Sequence, residues 1–237
     1  MCATSVRPDF AQSLGFRGCK IPLPFGPSEG AEGMRKNIEH LKRVRAVVGA
    51  DFPIMLDCFM ALTVPYTIEL ATRISAEVPG GVTWIEEAFA PHALDSMAEA
   101  REKVGHLVQF SGGEHEYTLH AFKQLLDRKC VDVLQPDVTI AGGVTEMRRI
   151  IALARTYDVP IVLHAASSYS LHLQFGALQL RRTPPHTHTH CSYTNTLLHA
   201  LPPPLPPPSL YELSLWGDDG GEPPWRHHPA PVWGPVC

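Results

Sequence analysis

Short apolar runs rich in β-branched residues alternate along this chain with longer stretches whose apolar positions recur every three or four residues. The runs cover 16–21, 53–57, 82–86, 107–111, 131–134 and 160–164, each the length of one buried strand. Between them, 32–48, 66–78, 95–104, 117–129 and 145–157 carry the helical period. In the last of these, Met147, Ile150, Ile151 and Ala154 make one apolar stripe, with Arg148, Arg149 and Arg155 on the other side. Six strands alternating with helices predict βα units and a parallel sheet, because strands running the same way need a crossover between them.

This pattern stops near residue 180. The last 57 of the 237 residues hold 13 of the 23 prolines, including Pro202 to Pro208 broken only by Leu205, and His186, His188 and His190 alternate with threonine. Such proline density permits neither a helix nor an inner strand, so 179–237 is expected to be a disordered tail behind a folded domain over 1–178. A polyproline ligand for SH3 or WW domains and a histidine metal trap are the functional readings of that tail, each weaker than plain low complexity.

Acidic or basic residues punctuate the strand ends. Asp57 ends Ile54-Met55-Leu56, Glu86 ends Thr83-Trp84-Ile85, Glu114 follows Gly112-Gly113, Asp137 ends Gln135-Pro136, and His164 ends Ile161-Val162-Leu163. Their spacings of 29, 28, 23 and 27 residues match one strand-plus-helix unit with its loops. One acid after a strand is most simply the cap of the next helix. A series in step is different, since parallel strands deliver all their ends to one face and so to one pocket.

A doubly wound open sheet would instead bind its ligand at a single switch point. Acids after strand upon strand suit a ring of strand ends better, so the barrel is favoured. Two carboxylates about 4 Å apart repel by roughly 4 kcal/mol at an effective dielectric near 20, so a cluster of three protonates, separates or takes a cation. All-oxygen donors without cysteine point to a hard ion such as Mg²⁺. Glu87 could replace Glu86 in another register, but alternation lets only one face inward. Asp137 on the neighbouring strand can orient His164 and raise its basicity. His115 is a weaker pocket candidate.

Composition narrows the partners. A net charge of −4 without a basic stripe gives no footprint for nucleic acid or an anionic membrane, and 44% hydrophobic content can fill a core. Six scattered cysteines without C-x-x-C pairs, and an N-terminus without a signal pattern, lead to the expectation of a reduced, cytoplasmic setting. No run reaches the length of a membrane-spanning helix.

The segments Leu56-Asp57-Cys58, Trp84-Ile85-Glu86-Glu87, Gly113-Glu114-His115, Gln135-Pro136-Asp137 with Gly142-Gly143, and His164 together resemble the enolase superfamily, mandelate racemase subgroup. Within it, 55–60, 111–115 and His164 through Ser168-Tyr169-Ser170 to His172 look most like L-rhamnonate dehydratases, over roughly residues 3–174. The resemblance implies an α/β fold, a (β/α)7β TIM-like barrel, expected here to be incomplete, lacking the N-terminal capping domain and the last strand.

It also implies Asp57, Glu86 and Glu114 as Mg²⁺ ligands and an Asp137/His164 dyad. Similar enzymes bind an acid sugar, remove its C2 proton with the histidine and expel the C3 hydroxyl to give a 2-keto-3-deoxy acid. Many relatives carry Lys-x-Lys at the strand of Lys20. The single lysine here disfavours a two-base racemase, and Lys20 is expected to be solvated or, with His115, to meet substrate. A homo-oligomer with no nucleic-acid or membrane partner is the expected assembly. The alternatives are a catalytically inactive fragment that keeps the metal ligands, or a dehydratase for another acid sugar.

Overall fold

The computed structural model describes residues 3–4, 8–164 and Leu173. The chain's contacts divide it into two units, 1–189 and 190–237, and every described residue belongs to the first. The expectations for 179–237 and for Ser168, Tyr169, Ser170 and His172 fall outside the described residues.

Six strands, β1 Ala3–Thr4, β2 Cys19–Pro22, β3 Ile54–Asp57, β4 Trp84–Glu86, β5 Gln109–Gly112 and β6 Val133–Leu134, form one sheet. All neighbours are parallel and pair in chain order from β1 to β6, so the described sheet has no switch point. Sequential parallel winding is that of a βα barrel, and it settles the choice against a doubly wound sheet. Helices α1 Pro8–Ser13, α2 Gly30–Val48, α3 Val64–Glu77, α4 Leu94–Val104, α5 Thr118–Asp127 and α6 Gly143–Thr156 complete the units.

The five expected helices lie within about two residues of their predicted bounds. The apolar period does not predict three of the described elements: β1, α1 and a 3-10 turn at Pro27–Glu29 are too short, at two, six and three residues, to show one. One expected strand, 160–164, is only a single bridge from Ile161 to Leu134. Its backbone still follows β6: Leu134 N–H donates to Pro160 O (3.0 Å), Val162 N–H to Leu134 O (2.9 Å) and His164 N–H to Pro136 O (3.1 Å). Proline at 160 has no N–H to extend that ladder.

Alternation sorts the strands into two faces. Ile21, Leu56, Ile85 and Phe110 pack outward with Met34, Ile38 and Leu41 of α2 and Leu70 and Ile74 of α3. Leu134 joins Phe122 and Leu125 of α5 with Met147, Ile150 and Ala154 of α6 in a second cluster, so the predicted α6 stripe is buried. Met55, Trp84 and Val133 make the third cluster, with Val162 against it, on the inner face. One layer nearer the strand ends, the register aligns Pro22, Asp57, Glu86 and Ser111. Apolar inner residues thus form a floor, and polar ones sit above it.

At the other end of the strands, the buried Arg45 guanidinium donates to the carbonyls of Gly49, Phe52, Gly80 and Gly81. It ties α2 to the turns entering β3 and β4, and helps hold those strands in register.

Candidate active site

Lys20 projects from β2 in the layer of Met55, one step below the acids. Its long side chain lets the ammonium climb to them. The ammonium contacts Glu86 Oε1 and stands 3.0 Å from Asp57 Oδ2. Glu86 is fully buried, and its other oxygen accepts from Trp84 Nε1–H at 3.0 Å. Burial alone would lower the Lys20 pKa, yet the charges and hydrogen bonds of Glu86 and Asp57 outweigh it and hold it above the ordinary lysine value. The expectation of a solvated Lys20 is therefore corrected: its side chain is only 13% exposed, because the buried Glu86 and the half-buried Asp57 need its counter-charge.

A second group forms around His164. Its Nδ1 is 3.0 Å from Asp137 Oδ2, and its Nε2 is 3.2 Å from Glu114 Oε2. A carboxylate only accepts, so the proton on Nδ1 faces Asp137. In the neutral ring, Nε2 then turns a lone pair toward Glu114, and the two attract only with a proton or cation between them. Consistently, Glu114 Oε2 is buried and has no aligned hydrogen bond despite the short distance. Burial raises the Glu114 pKa; His164 opposes this, Glu87 adds to it, and the net shift is upward.

Asp137 is fixed from its other side. Thr139 donates to Oδ1 through both its backbone N–H and its hydroxyl, and Ile140 N–H adds a third bond. Burial pushes the Asp137 carboxyl up, but Thr139, His164 and these backbone donors outweigh it and hold it below the usual carboxylate range. Asp137 therefore stays charged while it holds the imidazole.

Glu87 was dismissed by the alternation argument but is buried as well. It lies beyond the end of β4 with φ +45, so the alternation no longer applies to it. A left-handed non-glycine costs about 1–2 kcal/mol. Its Oε1 accepts from Gly113 N–H at 2.9 Å, and its Oε2 is 3.3 Å from His115 Nδ1. A Cβ on Gly112 would stand 3.1 Å from Glu87 Oε1, which explains why glycine precedes Gly113. His115 also lies 3.7 Å from Glu114 Oε1, with its side chain 40% exposed. The paired acids Glu86-Glu87 and the threonine two residues after Asp137 were the sequence signals for these supporting groups.

The predicted residues thus meet in two linked sets, Lys20–Asp57–Glu86 and Asp137–His164–Glu114. Among the described residues, no group of three His, Cys, Asp or Glu closes on one point. Instead, Lys20 is shared by Asp57 and Glu86 while Glu114 turns to His164. The chemistry of the donors still fits a hard divalent cation: all are oxygens, two carboxylates already share one positive charge, and Glu114 offers a buried oxygen without a hydrogen bond.

Comparison with known proteins decides the family. The family model "Enolase C-terminal domain-like" matches residues 8–208. This chain belongs to the enolase superfamily. A curated protein of Caldivirga maquilingensis, provisionally named as an L-rhamnonate dehydratase, is 44% identical over 170 residues, covering 72% of this chain and 42% of the relative. The crystal structure of rhamnonate dehydratase from Gibberella zeae complexed with Mg superposes with a TM-score of 0.68 at 44% identity, over 73% of this chain and 41% of that one. The 3,6-anhydro-D-galactonate cycloisomerase from Zobellia galactanivorans gives 0.62 at 30% identity, over 73% and 46%. The chain spans less than half the length of these relatives. No helix among the described residues is long and apolar enough to cross a membrane.

Proposed function

We propose that this chain carries the metal and proton-transfer half of an acid-sugar dehydratase of the L-rhamnonate type. The observation that carries this reading is the Asp137–His164 pair set 3.2 Å from Glu114 at neighbouring strand ends. The Mg-bound rhamnonate dehydratase of Gibberella zeae adds support.

Asp57, Glu86 and Glu114 would hold Mg²⁺. When bound, that ion supplies positive charge to an anion developing beside the substrate carboxylate. His164 Nε2, which carries no proton in the neutral tautomer whose Nδ1–H faces Asp137, accepts the C2 proton. Asp137 stabilises the imidazolium so formed and prevents the ring from turning. Carrying that proton, His164 can then protonate the departing C3 hydroxyl, which leaves as water; the resulting C2–C3 enol loses its O2 proton and gains one at C3 to become a 2-keto-3-deoxy acid. Lys20 compensates Asp57 and Glu86, and His115, partly exposed beside Glu114, would meet substrate.

The test is incubation of the full chain with Mg²⁺ and a panel of aldonates including L-rhamnonate, following 2-keto-3-deoxy acid. Removing a general base costs about 10²- to 10⁴-fold, so His164→Asn is expected to lose that much turnover. Unchanged turnover in that variant would overturn the assignment.

A second reading is favoured by the coverage of 41% to 46% of the relatives' lengths. In it, the chain binds the ion but does not turn over substrate. Heat of Mg²⁺ binding without product from any sugar acid would select it, and detectable turnover by the isolated chain would exclude it.

A further inference from the structure

The strand ends of Asp57 and Glu86 and the loop of Glu114 are all tied to one residue outside the acid set. The Glu87 carbonyl accepts from Met60 N–H at 2.6 Å, three residues beyond Asp57. Its own N–H donates to Ser111 O at 3.1 Å, on the strand leading to Glu114. Its carboxylate takes Gly113 N–H at 2.9 Å and lies 3.3 Å from His115 Nδ1, and these two residues flank Glu114. Peptide continuity ties it to Glu86. A buried carboxylate at a left-handed backbone position, with Gly112 leaving it room, needs such fixed partners to be stable at all.

We propose that Glu87 is the positioning residue of this site, a staple whose backbone and carboxylate set the relative placement of the strand ends bearing Asp57 and Glu86 and the loop bearing Glu114. This deepens the metal-site reading and rests on it for its functional meaning, but the staple itself can be tested without any ion. Glu87 touches neither substrate nor metal in this role; it acts by holding Gly113 and His115, and through them the direction of Glu114. Because Oε1 serves Gly113 and Oε2 faces His115, the neutral isostere Gln can keep the first bond and lose the charge on the second.

The experiment compares the full chain with Glu87→Gln, Glu87→Ala and Gly112→Ala. Amide hydrogen exchange is read by mass spectrometry over 57–62 and 109–116, with α2 as internal reference. In Glu87→Ala, exchange over 109–116, where the carboxylate holds Gly113 and His115, should rise about tenfold or more, while α2 and 57–62, the latter tied only to the Glu87 backbone, change much less, the signature of local opening. Glu87→Gln should restore most of the protection over 109–116, which generic destabilisation would not predict. Mg²⁺ titrated calorimetrically should bind about 10- to 100-fold more weakly to Glu87→Ala, as for loss of a group supporting metal ligands.

Wild-type exchange in Glu87→Ala, or an equal rise in α2, would overturn the staple. If Glu87→Ala does not fold, Gly112→Ala, whose Cβ presses on Glu87 Oε1, must loosen 109–116 or the proposal is lost. Absence of Mg²⁺ binding by wild type would defeat the metal reading alone and leave the exchange result to judge Glu87.

Discussion

Lys20, half-buried, and the fully buried Glu86 form an ion pair across 66 residues of sequence, and Asp57 Oδ2 stands 3.0 Å from the same ammonium. One positive charge thereby compensates two carboxylates that face the inner layer. Replacing Lys20 by Met is expected to destabilise the metal-free chain by about 3–5 kcal/mol, the cost of leaving a buried charge unpaired. Urea denaturation measures it. Millimolar Mg²⁺ should recover part of the loss, since a ligand of the folded state stabilises it by mass action. A variant as stable as wild type without metal would show that water, not Lys20, carries these charges.

The Asp137 hydrogen bonds make a pH prediction. The folded pKa lies below the ordinary value near 3.9, so Asp137 adds stability that is fully present above the unfolded pKa. That contribution disappears as pH falls through the folded value. The stability difference between wild type and Asp137→Asn should therefore be constant above about pH 5 and shrink below about pH 4. A gap that widens on acidification would contradict the sign.

Cys19, Cys58 and Cys130 are buried thiols. Burial pushes Cys19 and Cys130 up to about 11 and Cys58 well above its usual value. At neutral pH few of them are thiolate, and the thiolate is the reactive form. Labelling with a thiol reagent, mapped by mass spectrometry, should miss all three in the native chain and find them in urea. Rapid native labelling of any one would show that its strand is open in solution.

Arg45 places its guanidinium on four carbonyls at the end of the sheet away from the acids. Arg45→Met would leave buried acceptors unmet, at about 1–3 kcal/mol for each one that water does not reach. Denaturant titration should show a loss of at least about 2 kcal/mol. Mg²⁺ affinity, where the chain is folded, should stay within about threefold of wild type, since this end of the barrel serves stability rather than chemistry. A large drop in affinity with intact folding would mean that the two ends are coupled.

Much of the molecule could be read from residue order because it depends on local periodicity. Helices such as 145–157 announce themselves by one apolar stripe, and α6 buries Met147, Ile150, Ile151 and Ala154 as expected. Strand ends were legible because Asp57 and Glu86 close apolar runs, and both occupy the last strand position. Strand starts were placed early, as at 16–18 and 131–132, since an apolar residue approaching a strand resembles one within it. The solvated reading of Lys20 failed for a different reason: its partners come from two other strands, and no local signal reports them.

The order of apolar and polar residues thus determined the βα units, their parallel direction and the one face on which Asp57, Glu86, Glu114, Asp137 and His164 gather, because these follow from period and spacing. Only the folded chain decided who pairs with whom: Lys20 with Asp57 and Glu86, Glu114 with His164, and Glu87 with Gly113 and His115. Such pairings balance buried charge between strands distant in sequence, and that balance exists only once packing has removed water from around them.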